Sequence, residues 1–328
     1  MNHRQRLEAC LSGKPIDRVP VSLWRHFPVD DQLPDTLARS VLLFQQTYDF
    51  DFVKLTPASS FCVKDYGVLD EWRGNPEGTR DYTQHPVKEG KDWKTLSVLD
   101  PSIGSLGGQL ECVRLVKQGL PEETPLIQTV FDPLSQAKNL VGRDALLVHM
   151  RQHPEELLAG LETLTRSTIK FIEACLRIGI DGIFFAIQHA QSSLLSLEEY
   201  RKFVLPFDEL ILDQVSPLWL NVAHLHGKDL YFDHIPTRNI AVFNWHDRET
   251  YPSLSEAKMK FQGAVCGGLR QWETLVYGTP VEVTREVDDA IMSTQGERFI
   301  LGTGCVVPII APHANILAAR NSVDKDHQ

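Results

Sequence analysis

Two histidines one residue apart, His224-Leu225-His226, carry the clearest chemistry in this sequence. In an extended chain residues i and i+2 point to the same side. Both imidazoles therefore face one way at the end of an apolar run, forming half of a metal site. Zinc and similar borderline metals take His nitrogen and Cys sulfur, usually in four-coordinate sites. Cys305, which closes a Gly-Thr-Gly-Cys run, offers the third ligand. A His2Cys set leaves one position open, as catalytic rather than structural metal sites do. The same residues also fit a plainer arrangement: two hydrogen-bonded histidines and a buried apolar cysteine.

Further polar residues stand directly after apolar runs. Trp24-Arg25-His26 combines a flat apolar face, a planar fork suited to carboxylate or phosphate, and an imidazole. The alternative is a surface arginine beside a core tryptophan. Gln188-His189 offers a substrate hydrogen-bonder and an acid or base, or else a satisfied loop histidine. Lys54 interrupts Phe-Val-Lys-Leu. A buried lysine is costly unless paired, so Lys54 either binds an anion, takes part in catalysis, or simply leaves the strand end. Asp132, His246-Asp247 and Arg270 occupy similar positions, and His246 and Arg270 join the substrate-binding candidates. Cys10, Cys62, Cys112, Cys175 and Cys266 read as structural or incidental.

Eight short, nearly continuous apolar runs must position these groups: 18–23, 52–55, 126–131, 182–187, 218–224, 240–245, 264–269 and 298–304. Runs of this kind suit strands buried on both faces. Helical patterns lie between them. Residues 154–179 repeat apolar positions at i, i+3 and i+4 before a glycine stop. Residues 196–215 open with Ser196 and Glu199 at capping-box spacing, and 279–294 has an early proline. The alternation predicts an α/β fold, a single (β/α)8 TIM barrel, whose chemistry gathers at the C-terminal strand ends. A doubly wound sheet competes, but no GxGxxG or GxxxxGK[ST] follows the first strand. The stretch 61–110 reads as a hairpin or lid inserted after the second strand. There is no interior linker. Residues 1–320 form one barrel domain, and 321–328 are a polar tail that frays.

Composition narrows the function classes. The chain has 328 residues, 42% hydrophobic and 23% charged, which excludes a disordered chain. With 33 Lys+Arg against 43 Asp+Glu the net charge is −10, which argues against nucleic-acid and anionic-membrane surfaces. No apolar run reaches transmembrane length, and the first residues lack the apolar centre of a secretory signal. Six irregularly spaced cysteines suit a reducing cytoplasm.

Several stretches together resemble the uroporphyrinogen decarboxylase superfamily. They are RVPVSLWR, IGIDGIFFAIQHA with SLEEYRKFVLPF, HLHGKDLYFDHIPTRNIAVFNWHD, and GTGCVVPIIAPHANI, in order over roughly 15–320. The resemblance implies a (β/α)8 barrel, and a homodimer is common in the superfamily. One branch decarboxylates uroporphyrinogen without a cofactor. The other moves methyl groups between corrinoids and acceptors such as thiols, with zinc. Of the decarboxylase motifs, Arg25 is kept. Val29 replaces the second arginine, Val53 or Lys54 the pyrrole-binding aspartate, Asn139 the tyrosine, and Cys305 the histidine of the C-terminal motif. A cation at 54 would repel pyrrole N–H donors.

The methyltransferase zinc motif, His-x-Cys followed by a distant Gly-Cys, falls on His224, His226 in place of cysteine, and Cys305. Imidazole for thiolate removes one negative charge and makes the metal a stronger Lewis acid. The resemblance therefore implies a metal-dependent, corrinoid-linked methyltransferase holding zinc or another divalent metal on these three residues. Arg25, His26, Gln188 and His189 would orient a small-molecule substrate, with Arg25, His26 and His189 as the catalytic candidates and Trp24, Lys54, Gln188, His246 and Arg270 lining the pocket. The barrel uses nearly all of the chain, so the corrinoid is expected on a separate partner protein. A carboxy-lyase acting on a porphyrinogen or smaller acid is the second expectation, and a non-catalytic tetrapyrrole- or metal-binding barrel the third.

Overall fold

The computed structural model describes residues 1–324. The strands are β1 (Val53–Leu55), β2 (Leu69–Glu71), β3 (Asp81–Gln84), β4 (Leu126–Phe131), β5 (Gly182–Ile187), β6 (Val222–Leu225), β7 (Val242–Trp245), β8 (Ala264–Leu269) and β9 (Phe299–Thr303). Seven of them form one parallel sheet in the order β1-β4-β5-β6-β7-β8-β9, with helices in the connections. Every residue of these seven strands is buried, as the continuous apolar runs require when helices cover the outside and side chains fill the inside. Among the described residues no helix is long and apolar enough to cross a membrane.

The eighth expected strand, 18–23, is reduced to a single parallel bridge between Val21 and Leu301. Pro20 has no N–H to give a ladder. Its carbonyl accepts from Leu301, while Ser22 N–H donates to the Leu301 carbonyl at 3.0 Å. On the other side Asp51 N–H reaches the Val21 carbonyl at 2.8 Å, and the Ser22 hydroxyl reaches that of Phe52. The segment thus lies between β9 and β1. The run 218–224 also starts later than expected, because Leu218 closes a turn onto Val215.

Helix capping follows the sequence. Ser196 and Thr279 both make capping boxes, and Gly179 ends helix Pro154–Ile178 in the left-handed conformation. The single helix expected over 196–215 is two, Leu197–Phe203 and Leu205–Gln214. Pro206 cannot donate to the preceding turn, so the chain restarts there. The helix His313–Ser322 runs past 320, and Ser322 and Val323 are buried. The expected polar tail therefore begins inside packed structure, and its last residues, 325–328, lie outside the described residues.

Below the sheet, Asp51 is fully buried and collects Arg6 (2.6 Å), Arg18 (2.7 Å), His3 (3.1 Å) and the Val21 N–H (2.7 Å). This network ties helix His3–Ser12 to the chain just before β1. Above the sheet, within 61–110, β2 and β3 pair as an antiparallel hairpin. Arg80 fastens it through Asp31 (3.3 Å) and Asp70 (3.1 Å), Tyr82 through the Ser59 hydroxyl (2.8 Å), and Glu77 through Trp272 Nε1 (3.1 Å).

Candidate metal centre

The register of the sheet places His224 beside Ala186 of β5 and Asn244 of β7. His226 follows two residues on, past the strand end. Cys305 arrives from the loop after β9. That loop passes so close to β7 that a side chain at Gly304 would put its Cβ 2.7 Å from the His246 Cα and 3.0 Å from the Trp245 carbonyl. One ligand atom from each of His224, His226 and Cys305 lies within 4.8 Å of the others. The Cys305 Sγ is 3.9 Å from His226 Nδ1.

Asn244 fixes the tautomer of His224. Its Nδ2 donates to the Cys266 and Thr303 carbonyls, both at 2.9 Å. The amide orientation is thereby set, and Oδ1 must accept the 2.7 Å bond from His224 Nδ1. The proton sits on Nδ1, which frees Nε2 as a ligand. A histidine oriented through its other nitrogen is what metal sites require.

Electrostatics agree with a ligand role. Burial, reinforced by His226 and His246, pushes the His224 pKa well below its ordinary value. Burial and His246 push His226 down to about 4. Both imidazoles are neutral at pH 7, the form that binds metal. Burial pushes the Cys305 thiol up to about 11. Without a cation at the site it stays protonated. Two neutral imidazoles and one thiol that a divalent ion would deprotonate make a donor set suited to zinc or a similar borderline metal, with one position to spare.

The trio lies in the wall of a cavity of about 410 Å³. Of the other residues singled out in the sequence, Trp24, His26, Lys54 and Gln188 line the same cavity. Burial, then Lys54 and Arg80, push His26 down to about 3. The hairpin tip rests on it: a Cβ at Gly78, whose φ is +78°, would come 2.5 Å from the His26 Cβ. Burial pushes the Lys54 ammonium down to about 7, with Cys305 pulling the other way.

Four expected residues stand elsewhere. Arg25 turns away, over the Phe27 ring at 5.1 Å and toward the Ile309 carbonyl. His189 is buried behind the wall, 3.4 Å from the Ser135 hydroxyl, and burial pushes its pKa down to about 3. Arg270 is paired with Glu286. His246 does not line the cavity but backs the trio, its ring 5.5 Å from that of His226. Its buried Nε2 has no hydrogen-bond partner among the described residues.

Residues that sequence reasoning missed are Asn244, Lys138, Arg143 and, from the hairpin, Glu77 and Arg80. Asn244 had a signal, since a polar residue inside Ile-Ala-Val-Phe-Asn-Trp demands partners. Lys138 donates to Gln188 Oε1 at 2.7 Å. It stands in the second turn of the helix after β4, where only the fold reveals which way it points.

The family model for uroporphyrinogen decarboxylase (URO-D) matches residues 34–325. The chain belongs to the URO-D family. Across its length it is similar to the methylcobamide:CoM methyltransferase MtbA of Methanosarcina acetivorans, 24% identical with 95% of each chain covered. The uroporphyrinogen decarboxylase of Rhodococcus opacus is 33% identical, but over 42% of this chain and 39% of its own. A solved methyltransferase from Methanosarcina mazei superimposes with a TM-score of 0.85 at 19% identity, covering 99% of this chain and 98% of that one. At that identity the superposition establishes the fold. The similarity to this methyltransferase thus spans nearly the whole of both chains, while the similarity to this decarboxylase covers a part.

Proposed function

We propose that this URO-D family member is a metal-dependent methyltransferase that moves a methyl group between a corrinoid and a small acceptor. The observation that carries the reading is the convergence of His224, His226 and Cys305 in the wall of a cavity sized for a small molecule. The full-length likeness to a methylcobamide:CoM methyltransferase supports it. A divalent metal held there would act as a Lewis acid, lowering the pKa of a thiol or hydroxyl placed in the open position.

The chain's own residues prepare that position. Asn244 holds His224 in the ligating tautomer. His226, neutral where a thiolate would be charged, leaves the donor set with a single anionic member. Trp24 and Phe184 give the acceptor flat apolar walls, and Gln188, held by Lys138, offers a fixed amide. Neutral His26 can donate or accept a hydrogen bond without carrying charge. The corrinoid is expected on a separate protein that docks over the strand ends. We read residues 20–22 as the eighth stave of a closed barrel, and the hairpin at 69–84 as an insertion that roofs the site. Six unpaired cysteines accord with a cytoplasmic setting.

The test is demethylation of methylcobalamin by zinc-loaded protein across a panel of thiols, with the methylated product read by mass spectrometry. Turnover that needs the metal and disappears in Cys305→Ala is expected. No product from any thiol sinks the reading. The unpaired cations of the cavity also suit a carboxylate, which favours a carboxy-lyase as the second reading. Carbon dioxide released from porphyrinogens or smaller acids by metal-free protein would establish it instead.

A further inference from the structure

A second cavity, of about 380 Å³, lies beside the metal-bearing one. The start of helix Pro34–Tyr48, the chain after β1 and helix Gly104–Gly119 enclose it. Pro57 lines both cavities. Leu33, Leu37 and Phe61 give the second one an apolar face, and Asp31, Lys64 and Asp65 are its charged lining. The metal-centred chemistry uses none of these groups.

Gly108 borders this cavity from inside helix Gly104–Gly119. A glycine inside a helix is unfavourable relative to alanine, and a crowding neighbour commonly explains one. Gly107 and Gly160 have such neighbours: a Cβ there would come 2.7 Å from the Ser102 carbonyl and 2.6 Å from the Trp93 ring. A Cβ at Gly108 would meet only the Pro34 Cγ, at an ordinary 3.6 Å. The helix forgoes a side chain where one would fit, and the space left open is the cavity.

Asp31 is the polar anchor. Its carboxylate is fully buried. Oδ1 accepts from Gln32 Nε2 at 2.6 Å and from Arg80 at 3.3 Å. Oδ2 has no partner among the described residues, and neither has the buried Ser60 hydroxyl in the same lining. Buried oxygens of this kind are costly to leave unpaired. Arg80 also serves Asp70, whose side chain is 1% exposed, at 3.1 Å. One guanidinium thus faces two buried carboxylates, which leaves one negative charge unmatched. Burial pushes the Asp31 pKa up, and Gln32 and Arg80 do not cancel the shift. Asp65 is spent on the Ser105 N–H at 2.9 Å, and Lys64 reaches the Gln32 amide oxygen at 3.4 Å.

We propose that this cavity is a second ligand site, which takes a small organic cation with a fork of N–H donors, an amidinium or guanidinium, on an apolar body. The fork pairs with Asp31 in place of the neutral Gln32 amide, whose bond stands at the exposed rim. The body lies against Leu37, Phe61 and the open face at Gly108. Exchanging an amide for a cation makes the hydrogen bond an ion pair and supplies the missing charge. The site follows from Asp31, Gly108 and the lining alone, and it does not rest on the methyltransferase reading.

Benzamidinium and its neutral isostere benzamide test this. Their binding to zinc-loaded protein is measured by calorimetry in wild type, Asp31→Asn and Gly108→Leu. Wild type should prefer the cation. Asp31→Asn should lose cation affinity by about 10- to 100-fold, the range of a charge-assisted hydrogen bond, and leave benzamide within a few-fold. Gly108→Leu should weaken both probes, because its side chain occupies the space of the apolar body.

Melting temperature separates binding from folding. Gly108→Leu should melt no lower than wild type, since leucine favours the helix and fills open space. Equal binding of the two probes to wild type overturns the proposal, as does no binding of benzamidinium at millimolar concentration. A cation preference that survives in Asp31→Asn removes Asp31 as the anchor and overturns it too. So does unchanged affinity in Gly108→Leu, which places the probe elsewhere, and so does a lowered melting temperature of that variant, which shows the helix face already filled.

Discussion

Asn244→Ala should weaken metal binding without touching a ligand. Asn244 makes three buried hydrogen bonds, at 2.7 Å from His224 Nδ1 and at 2.9 Å to each of the Cys266 and Thr303 carbonyls. Truncation strands all three partners. Each unsatisfied buried polar group costs about 1–3 kcal/mol. Water entering the space vacated by the amide would satisfy some of them, so the net loss of stability in the metal-free protein should be about 3 kcal/mol. The effect on metal is separate. With Nδ1 released, His224 no longer has a fixed tautomer or ring orientation, and such losses typically weaken metal affinity by 10- to 100-fold. Competition with a chromophoric zinc chelator reads the affinity, and urea unfolding of the metal-free protein reads the stability. Asn244→Asp should be no better, because a carboxylate would face two carbonyl oxygens. An Asn244→Ala protein that unfolds about 3 kcal/mol earlier but holds zinc as tightly as wild type would refute the reasoning. His224 would then be a buried core histidine and not a ligand.

Three further outcomes are expected. Zinc binding at pH 7 should release about one proton per chain, because burial holds Cys305 near 11 while both imidazoles are already neutral; calorimetry in buffers of different ionisation enthalpy measures this, and a value of zero removes Cys305 from the ligand set. Gly304→Ala should lower zinc affinity several-fold with native circular dichroism retained, since the new Cβ meets the backbone of His246 at 2.7 Å and must push the Cys305 loop outward; unchanged affinity would show that the loop absorbs the methyl group without moving Cys305. Burial alone would raise the Asp51 pKa, but His3, Arg18 and the Val21 N–H outweigh it and hold it at about 2, below the ordinary 3.8. Its contribution, about 2 kcal/mol, is therefore fully present above pH 4 and lost as the pH falls toward 2. The stability gap between wild type and Asp51→Asn should be constant from pH 7 to pH 5 and shrink below pH 4; a gap that grows on acidification contradicts this.

Much of the architecture could be read from the chain. Continuous apolar runs gave the parallel strands, since strands covered on both faces leave no alternation to confuse the pattern. Ser196, Thr279 and Gly179 marked helix ends because capping chemistry is local. The errors sit where a single residue overrides a pattern. Pro20 reduces one strand to a bridge, and Pro206 splits one helix. In the site, His224 and His226 were legible because the alternation of β6 carries on one residue past its end, where the His226 N–H still bonds the Ile187 carbonyl at 3.0 Å. Farther from the ladder that rule lapses. Arg25 turns to an aromatic ring and His189 turns inward to Ser135, while Arg270 takes Glu286, sixteen residues ahead, as its partner. The hairpin residues Glu77 and Arg80 reach the cavity through long-range ion pairs and hydrogen bonds that no local spacing encodes.

The most direct test of the metal centre is metal content per chain by mass spectrometry, measured in parallel on wild type and His226→Ala after zinc loading and removal of excess. About one zinc per chain in wild type, lost in a His226→Ala protein that keeps its fold, is the expected result. A wild type that retains no zinc, or a variant that retains as much as wild type, contradicts a catalytic metal at His224, His226 and Cys305.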